Sequence, residues 1–328
     1  MPLLKKTGQL LTRTGRLLER TGQRLERKGP LPARAKLVLA AASAACLLFL
    51  VYLMLSEPMK QDKATWLWDA SIISAQTEDI LAFSRKEGVT AIFLQIQAEV
   101  PEEDYRRFIR SARESGIAVH ALDGQPEWAY REKRKEGERL LSWIEEFNQQ
   151  ARPGERFEGV QFDVEPYVLK RWDNEREEVI REWKGNVEIW TGEARRQGLS
   201  FSAAVPFWLD SIPLPGETGN FGRWMQETTD AVAVMSYRND GEQMYELARE
   251  ELELGDRLGT SVWIGMELTD TDEGEHLTFH GKSEKAVKKE ARRAATLGTG
   301  HPSFAGLAVH HYQAWHRKMA MSGKHTGL

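Results

Sequence analysis

Between residues 65 and 312, eight apolar runs of strand length alternate with amphipathic runs of helix length, an order that few folds accept. Strands are expected at 65–69, 89–96, 117–122, 158–165, 199–206, 230–237, 260–267 and 304–312. Helices are expected near 77–87, 102–115, 134–150, 172–197, 219–228, 241–255 and 284–297. Gly88, Gly116 and Gly198 fall just past three of those helices, where a left-handed C-terminal cap favours glycine. Eight strands, each answered by a helix over about 250 residues, imply an α/β chain folded as a (β/α)8 TIM barrel. An open doubly wound sheet is the other arrangement, but no Gly-rich phosphate turn follows the first strand.

In such a barrel the active site lies at the C-terminal ends of the strands. Those ends carry Asp69, Gln95 and Gln97, Asp123, Asp163 and Glu165, Trp208, Tyr237, Glu267, and His310 with Tyr312. The loops beyond add Trp128, Tyr167, Trp172, Phe207 and Trp315. Aromatic faces beside carboxylates and amides suit sugar rings, whose C–H faces stack while their hydroxyls bond to polar groups; for any single tryptophan, packing is the competing role.

The fourth strand is the most informative. In the run Phe-Glu-Gly-Val-Gln-Phe-Asp-Val-Glu at 157–165, Gln161, Asp163 and Glu165 recur at steps of two and share one face. Val160, Phe162 and Val164 take the other. Carboxylates projecting together from a buried strand are costly unless partnered or functional, and glycoside hydrolysis uses such groups, one of them as proton donor to the leaving oxygen.

This run resembles the strand-four signature of glycoside hydrolase family 18, the chitinase-like barrels, written Phe-Asp-Gly-Ile-Asp-Ile-Asp-Trp-Glu. Phe157, Gly159, Asp163 and Glu165 match, Glu158 is conservative, and Gln161 replaces the first Asp of the Asp-x-Asp-x-Glu core. Ala203-Ala204-Val205-Pro206 is similar to the family's fifth-strand Ala-x-Pro run. Val234-Met235-Ser236-Tyr237 resembles its sixth-strand Met-x-Tyr-Asp motif, with Arg238 where Asp is expected. The resemblance implies that Glu165 is the general acid and that Asp163 orients a substrate N-acetyl group, which itself attacks the anomeric carbon. It implies that Tyr237 bonds to the same group. Gln161 cannot take up a charge, but its amide can donate to Asp163.

Two further readings stand beside this one. Glu267 closes strand seven with Trp263 and Gly265 on its face, so Glu165 and Glu267 fit a retaining pair if their carboxyls lie about 5–5.5 Å apart; otherwise Glu267 binds substrate. A barrel that binds glycan without cleaving it is the non-enzymatic alternative, favoured by Gln161 and Arg238 and opposed by the retained Glu165. The polar stretch 268–283 reads as a binding loop or as simple exposed surface. The eight histidines show no zinc-type helical pair, so neither a metal nor a cofactor is expected.

Charge is divided along the chain. Residues 1–36 hold ten Lys/Arg and two Glu, whereas the remainder holds 35 basic and 47 acidic residues, an excess that argues against nucleic acid as partner. Between them, residues 37–55 are free of charge and long enough, at about 1.5 Å per residue, for a single N-terminal transmembrane helix. Arg34 and Lys36 precede it and Glu57 follows, which places the N-terminus in the cytoplasm and the main body outside. A cleaved signal peptide would need an unusually long basic region and a small-residue cleavage site. The only cysteine, Cys46, lies within this segment, so the body is held by packing rather than disulfides. In the tail, Gly8, Gly15, Gly22 and Gly29, and Leu4, Leu11, Leu18 and Leu25, recur every seven residues. That pattern reads equally as a basic amphipathic segment on anionic lipid and as a solvated topology signal.

The expected organisation is therefore a tail at 1–36, an anchor at 37–55, a linker at 56–64 and a barrel at 65–320. The expected function is that of a cell-membrane, extracytoplasmic glycoside hydrolase acting on an N-acetylhexosamine-containing polysaccharide of the envelope or its surroundings.

Overall fold

The computed structural model describes residues 62–322. The tail, the anchor and most of the linker lie outside these residues; among the described residues no helix is long and apolar enough to cross a membrane.

Eight parallel strands close into a barrel in sequence order: β1 Lys63–Leu67, β2 Val89–Gln95, β3 Ala118–Asp123, β4 Gly159–Phe162, β5 Ser200–Pro206, β6 Ala231–Met235, β7 Ser261–Glu267 and β8 Phe304–His310. The helices between them are α1 Ile73–Glu87, α2 Glu102–Glu114, α3 Arg134–Gln150, α4 Lys170–Asn174, α5 Arg176–Arg196, α6 Phe221–Thr228, α7 Gly241–Leu258 and α8 Glu284–Gly298. The three predicted capping glycines all adopt positive φ, between 74° and 79°. The closed barrel is the predicted fold, and β8 pairs with β1 to complete it.

Alternation along the strands separates two cores. Ala64, Trp66, Ala91, Phe93, Leu122, Ala233 and Ala308 fill the barrel, with Trp66 and Phe93 in contact at 5.4 Å between ring centroids. Val160, Phe162 and Val164 face outward into the strand–helix layer, where Phe162 meets Trp190 of α5 at 5.0 Å. Burying a side chain of this size contributes on the order of 2 kcal/mol, so a one-residue slip of β4, which would turn these three inward, is strongly disfavoured.

Two strand ends differ from expectation. β4 stops at Phe162, so Asp163 and Glu165 stand on the turn beyond it. β8 stops at His310, and the chain enters a ninth helix, α9 Tyr312–Ser322, that the aromatic run concealed. Tyr312, Trp315 and Met319 are buried at helical spacing along it.

Candidate active site

The mouth of the barrel at the strand C-termini collects most of the predicted polar residues, and two of its corners are chemically distinct. At the β4 corner, Gln161 points into the barrel and is fully buried, yet neither of its amide atoms has a hydrogen-bond partner among the described residues. The expected donation from Gln161 to Asp163 is not made. Asp163 Oδ1 is sealed from solvent and equally unpartnered. Its backbone is fixed, because Asp163 N donates to Asp123 O at 3.1 Å. Gly124 lies so close that a Cβ there would sit 2.1 Å from Asp163 O, so only glycine fits. Burial pushes the Asp163 carboxyl up to about 7, the charge of Glu165 adds to the rise, and His310 opposes it.

Glu165 follows, with Tyr167 donating its hydroxyl to Oε2. Burial and the Glu165 carboxylate push the Tyr167 phenol far above its usual range, so it acts as a donor. The Tyr167 ring stands edge-on to Trp208 at 4.9 Å and to Trp172 at 6.2 Å. An aromatic wall thus runs from the β4 turn to the turn after β5. Trp172 itself is buried, whereas Trp208 keeps a solvent-facing part.

At the β7–β8 corner the carboxylate is saturated instead. Glu267 Oε1 accepts from Thr269 N and Thr269 Oγ1, both at 2.6 Å. Glu267 Oε2 pairs with His310 Nδ1 at 2.7 Å, and Trp68 Nε1 lies 3.1 Å from His310 Nε2. An indole nitrogen can only donate, so His310 Nε2 accepts and the imidazole proton sits on Nδ1, aimed at Glu267. Burial acts to raise the Glu267 carboxyl, but the hydrogen bonds from His310 and Thr269 outweigh it and hold it below the usual range.

Tyr237 lies between the corners. Its ring centroid is 6.1 Å from that of His310, and its Cε1 occupies the space over Gly265, where a Cβ would approach within 3.1 Å. Burial together with Glu267, Asp163 and Glu165 raises its phenol well above the ordinary value. Its hydroxyl is a donor with no protein partner among the described residues. On the β2–β3 side, Gln95 Nε2 donates to Asp123 Oδ1 at 2.9 Å, and burial raises the Asp123 carboxyl.

Four predicted site residues do other work. Asp69 is exposed and caps the short turn Ala70–Ile72 through Ser71 N at 3.1 Å. Gln97 Oε1 accepts from Ala70 N at 2.8 Å, which ties the turn after β2 to that after β1. Tyr312 and Trp315 belong to α9 and pack edge-on against Phe83 of α1, at 5.7 and 5.3 Å. Trp315 also lies 5.7 Å from the Lys63 ammonium, at the opposite end of β1 from the mouth. Sequence reading missed Trp68 and Thr269. Trp68 repeats the inward step of Trp66, and Thr269 stands two residues past Glu267, where a hydroxyl reaches back to the carboxylate.

The polar stretch after β7 is stitched down. Phe279 is fully buried and its N–H donates to Glu267 O at 2.9 Å, while Asn239 donates from N to His276 O at 2.9 Å and from Nδ2 to Glu275 O at 2.6 Å. Among the described residues no three His, Cys, Asp or Glu side chains converge as metal ligands.

No family model matches the chain, and no curated protein matches it. Solved structures that it resembles include the spore cortex-lytic enzyme SleL of Bacillus megaterium, at 12% identity over 79% of this chain and 73% of that one, with a TM-score of 0.48. A GH18 chitinase of Pseudoalteromonas aurantia aligns at 11% identity over 81% and 99%, with a TM-score of 0.47. The PgaB (BpsB) glycoside hydrolase domain of Bordetella bronchiseptica aligns at 12% identity over 80% and 98%, also with a TM-score of 0.47. With TM-scores below 0.5, these likenesses carry no argument about this chain.

Proposed function

We propose that the protein is a glycoside hydrolase that cleaves an N-acetylhexosamine-containing polysaccharide with help from the substrate's own acetamido group. The observation that carries this reading is the β4 corner. An acid with a hydroxyl partner, Glu165, stands two residues from a buried carboxyl, Asp163, that has room for one more hydrogen bond.

Glu165 protonates the glycosidic oxygen as the bond to the anomeric carbon breaks. The acetamido oxygen attacks that carbon, and the Asp163 carboxyl turns to bring an oxygen out of its sealed position and accept the acetamido N–H. Positive charge develops on the acetamido group beside a carboxylate that burial had made reluctant to ionise, so the interaction strengthens toward the transition state. Tyr237 donates to the acetamido oxygen. Water then attacks the anomeric carbon, the acetamido oxygen leaves it, Glu165 takes the water's proton, and configuration is retained.

The arrangement favours this over a Glu165–Glu267 retaining pair. Hydrogen bonds from Thr269 and His310 to both oxygens of Glu267 stabilise its charge and so weaken it as a nucleophile. Glu267 is read as support for His310 and the substrate. The membrane-anchored, extracytoplasmic placement belongs to the same proposal and rests on residues 37–55 and their flanking charges.

The decisive assay incubates the full-length protein with N-acetylated and de-N-acetylated glycans and measures new reducing ends. Cleavage of acetylated chains alone, abolished by Glu165→Gln, is expected. Full activity in that variant would overturn the mechanism, and saturable binding without turnover would reassign the protein as a glycan-binding barrel. Protease accessibility of the barrel in intact against lysed cells checks its side of the membrane.

A further inference from the structure

Arg238 follows Tyr237 directly, where the resemblance leads one to expect Asp. Its guanidinium lies over the Phe207 ring at 5.4 Å, and Nη1 donates to Tyr237 O at 2.6 Å. Neither contact is a carboxylate. The arginines after β4 are differently placed: Arg171 pairs with Glu175 at 2.9 Å and Glu182 at 3.2 Å, and Arg176 lies over Trp172 at 5.3 Å. The Asn239 bonds to His276 and Glu275 also pin the backbone beside Arg238. The side chain is therefore stacked, oriented and half-buried, with most of its N–H donors unspent.

Its place on the rim matters as much. Tyr167 bonds to Glu165, Trp208 abuts Tyr167, Phe207 precedes Trp208, and Arg238 lies over Phe207. Phe207 and Trp208 are consecutive residues after β5, so the turn that carries the guanidinium's ring partner is also the one that abuts Tyr167 beside the proposed acid. A sugar unit bound along that turn, adjacent to the one being cleaved, would present its substituents to Arg238. A planar guanidinium fork matches a carboxylate at two points, and a stacked one gives up little freedom on binding.

We propose that Arg238 is a specificity-determining residue and that the substrate is an acidic amino-sugar polymer, with a carboxylate on the unit adjacent to the cleaved N-acetylhexosamine. This rests on the glycosidase reading and narrows it. The carboxylate has two chemical sources, an ether-linked side chain such as lactyl or the ring carboxyl of a uronic acid.

The test uses the full-length chain in detergent with four oligosaccharides of equal length: a neutral N-acetylhexosamine oligomer, one carrying lactyl ethers on alternate units, one alternating with uronic acid, and the carboxyl-reduced form of whichever acidic oligomer is cleaved faster. Expected is a kcat/KM for one acidic oligomer about tenfold or more above its carboxyl-reduced twin. Arg238→Gln should bring that ratio to within about twofold of one, and Arg238→Lys should restore part of it, because charge returns without the fork. The preferred acidic oligomer identifies the source. A wild-type ratio near or below one, or a ratio unmoved by Arg238→Gln in protein with an unchanged thermal midpoint, would overturn the inference. If Arg238→Gln does not fold, Phe207→Leu, which removes only the stacking face, should lower the ratio severalfold. If nothing is cleaved, calorimetric titration with the same oligosaccharides separates the claims. An Arg238-dependent preference for the acidic ligand upholds the inference while the hydrolase reading fails, and equal binding sinks the inference.

Discussion

The β4 and β7–β8 corners of the mouth each hold a buried carboxyl at or one residue past a strand end, and they are in opposite states. Asp163 has a sealed oxygen with no donor and a carboxyl raised to about 7. Glu267 has donors on both oxygens and a carboxyl held low. Burial acts on both in the same direction; the supply of hydrogen-bond donors makes the difference. One corner is left wanting a donor that a substrate brings, and the other is complete without one. The pH dependences follow with opposite sign. The raised Asp163 carboxyl favours the folded protein most below its unfolded value of 3.8, and that contribution fades as pH climbs toward 7. The depressed Glu267 carboxyl stabilises above its unfolded value of 4.5 and is lost as pH falls.

The comparison breaks most sharply at Glu165. Glu165→Gln should lower kcat by about 10²–10⁴ in a reducing-end assay with little change in thermal midpoint; a loss under tenfold would move the acid elsewhere. Asp163→Asn comes next, with an expected fall of about 10²–10³ in kcat. In the same variant the decline in thermal midpoint between pH 4 and pH 7 should flatten, because the group that ionises there is gone. If the decline persists, Asp163 is not the starved carboxyl.

Removing His310 makes the second corner resemble the first. His310→Ala strips one donor from Glu267, so its carboxyl should rise, and the acid side of the stability profile should become shallower. About a tenfold loss in kcat/KM is expected from a misplaced supporting group. Nitrogen-15 chemical shifts of the wild-type imidazole offer a direct check, since Nε2 should read as the unprotonated nitrogen. The smallest effect belongs to Thr269→Val. The backbone donor stays and the hydroxyl goes, so stability should fall by about 1 kcal/mol in urea titration, with activity changed less than about threefold.

The architecture was legible because alternation of period two and period 3.6 is written along the whole chain. All eight strands and the helices expected between them appear, with ends displaced by a few residues, except that the helix expected at 172–197 is broken at Glu175 into α4 and α5. The outward set Val160, Phe162 and Val164 and the inward Gln161 were readable from the pleat alone. The misplacements have physical causes. Tyr312 and Trp315 lie in a helix that starts only one residue, His311, beyond the strand's end, so the sequence carries no turn signal between strand and helix. Asp69 and Gln97 stand at strand ends, but short turns needed their side chains. No sequence pattern could show that Gln161 goes unpartnered, because hydrogen bonding in the barrel depends on what seven other strands present. The Trp68–His310–Glu267 chain joins residues up to 242 apart, and only closure of the barrel brings them together.

That closure also sets the order in which the molecule can be made. The seam between β1 and β8 joins Thr65 to Val309, 244 residues apart along the chain. Until the last strand has emerged from the ribosome, β1 presents one row of backbone donors and acceptors without a partner, a template for pairing with a neighbouring chain. Contacts of such separation also slow folding. A nascent barrel of this topology therefore carries an open edge through most of its synthesis, and a truncation before β8 should aggregate rather than yield a smaller stable protein.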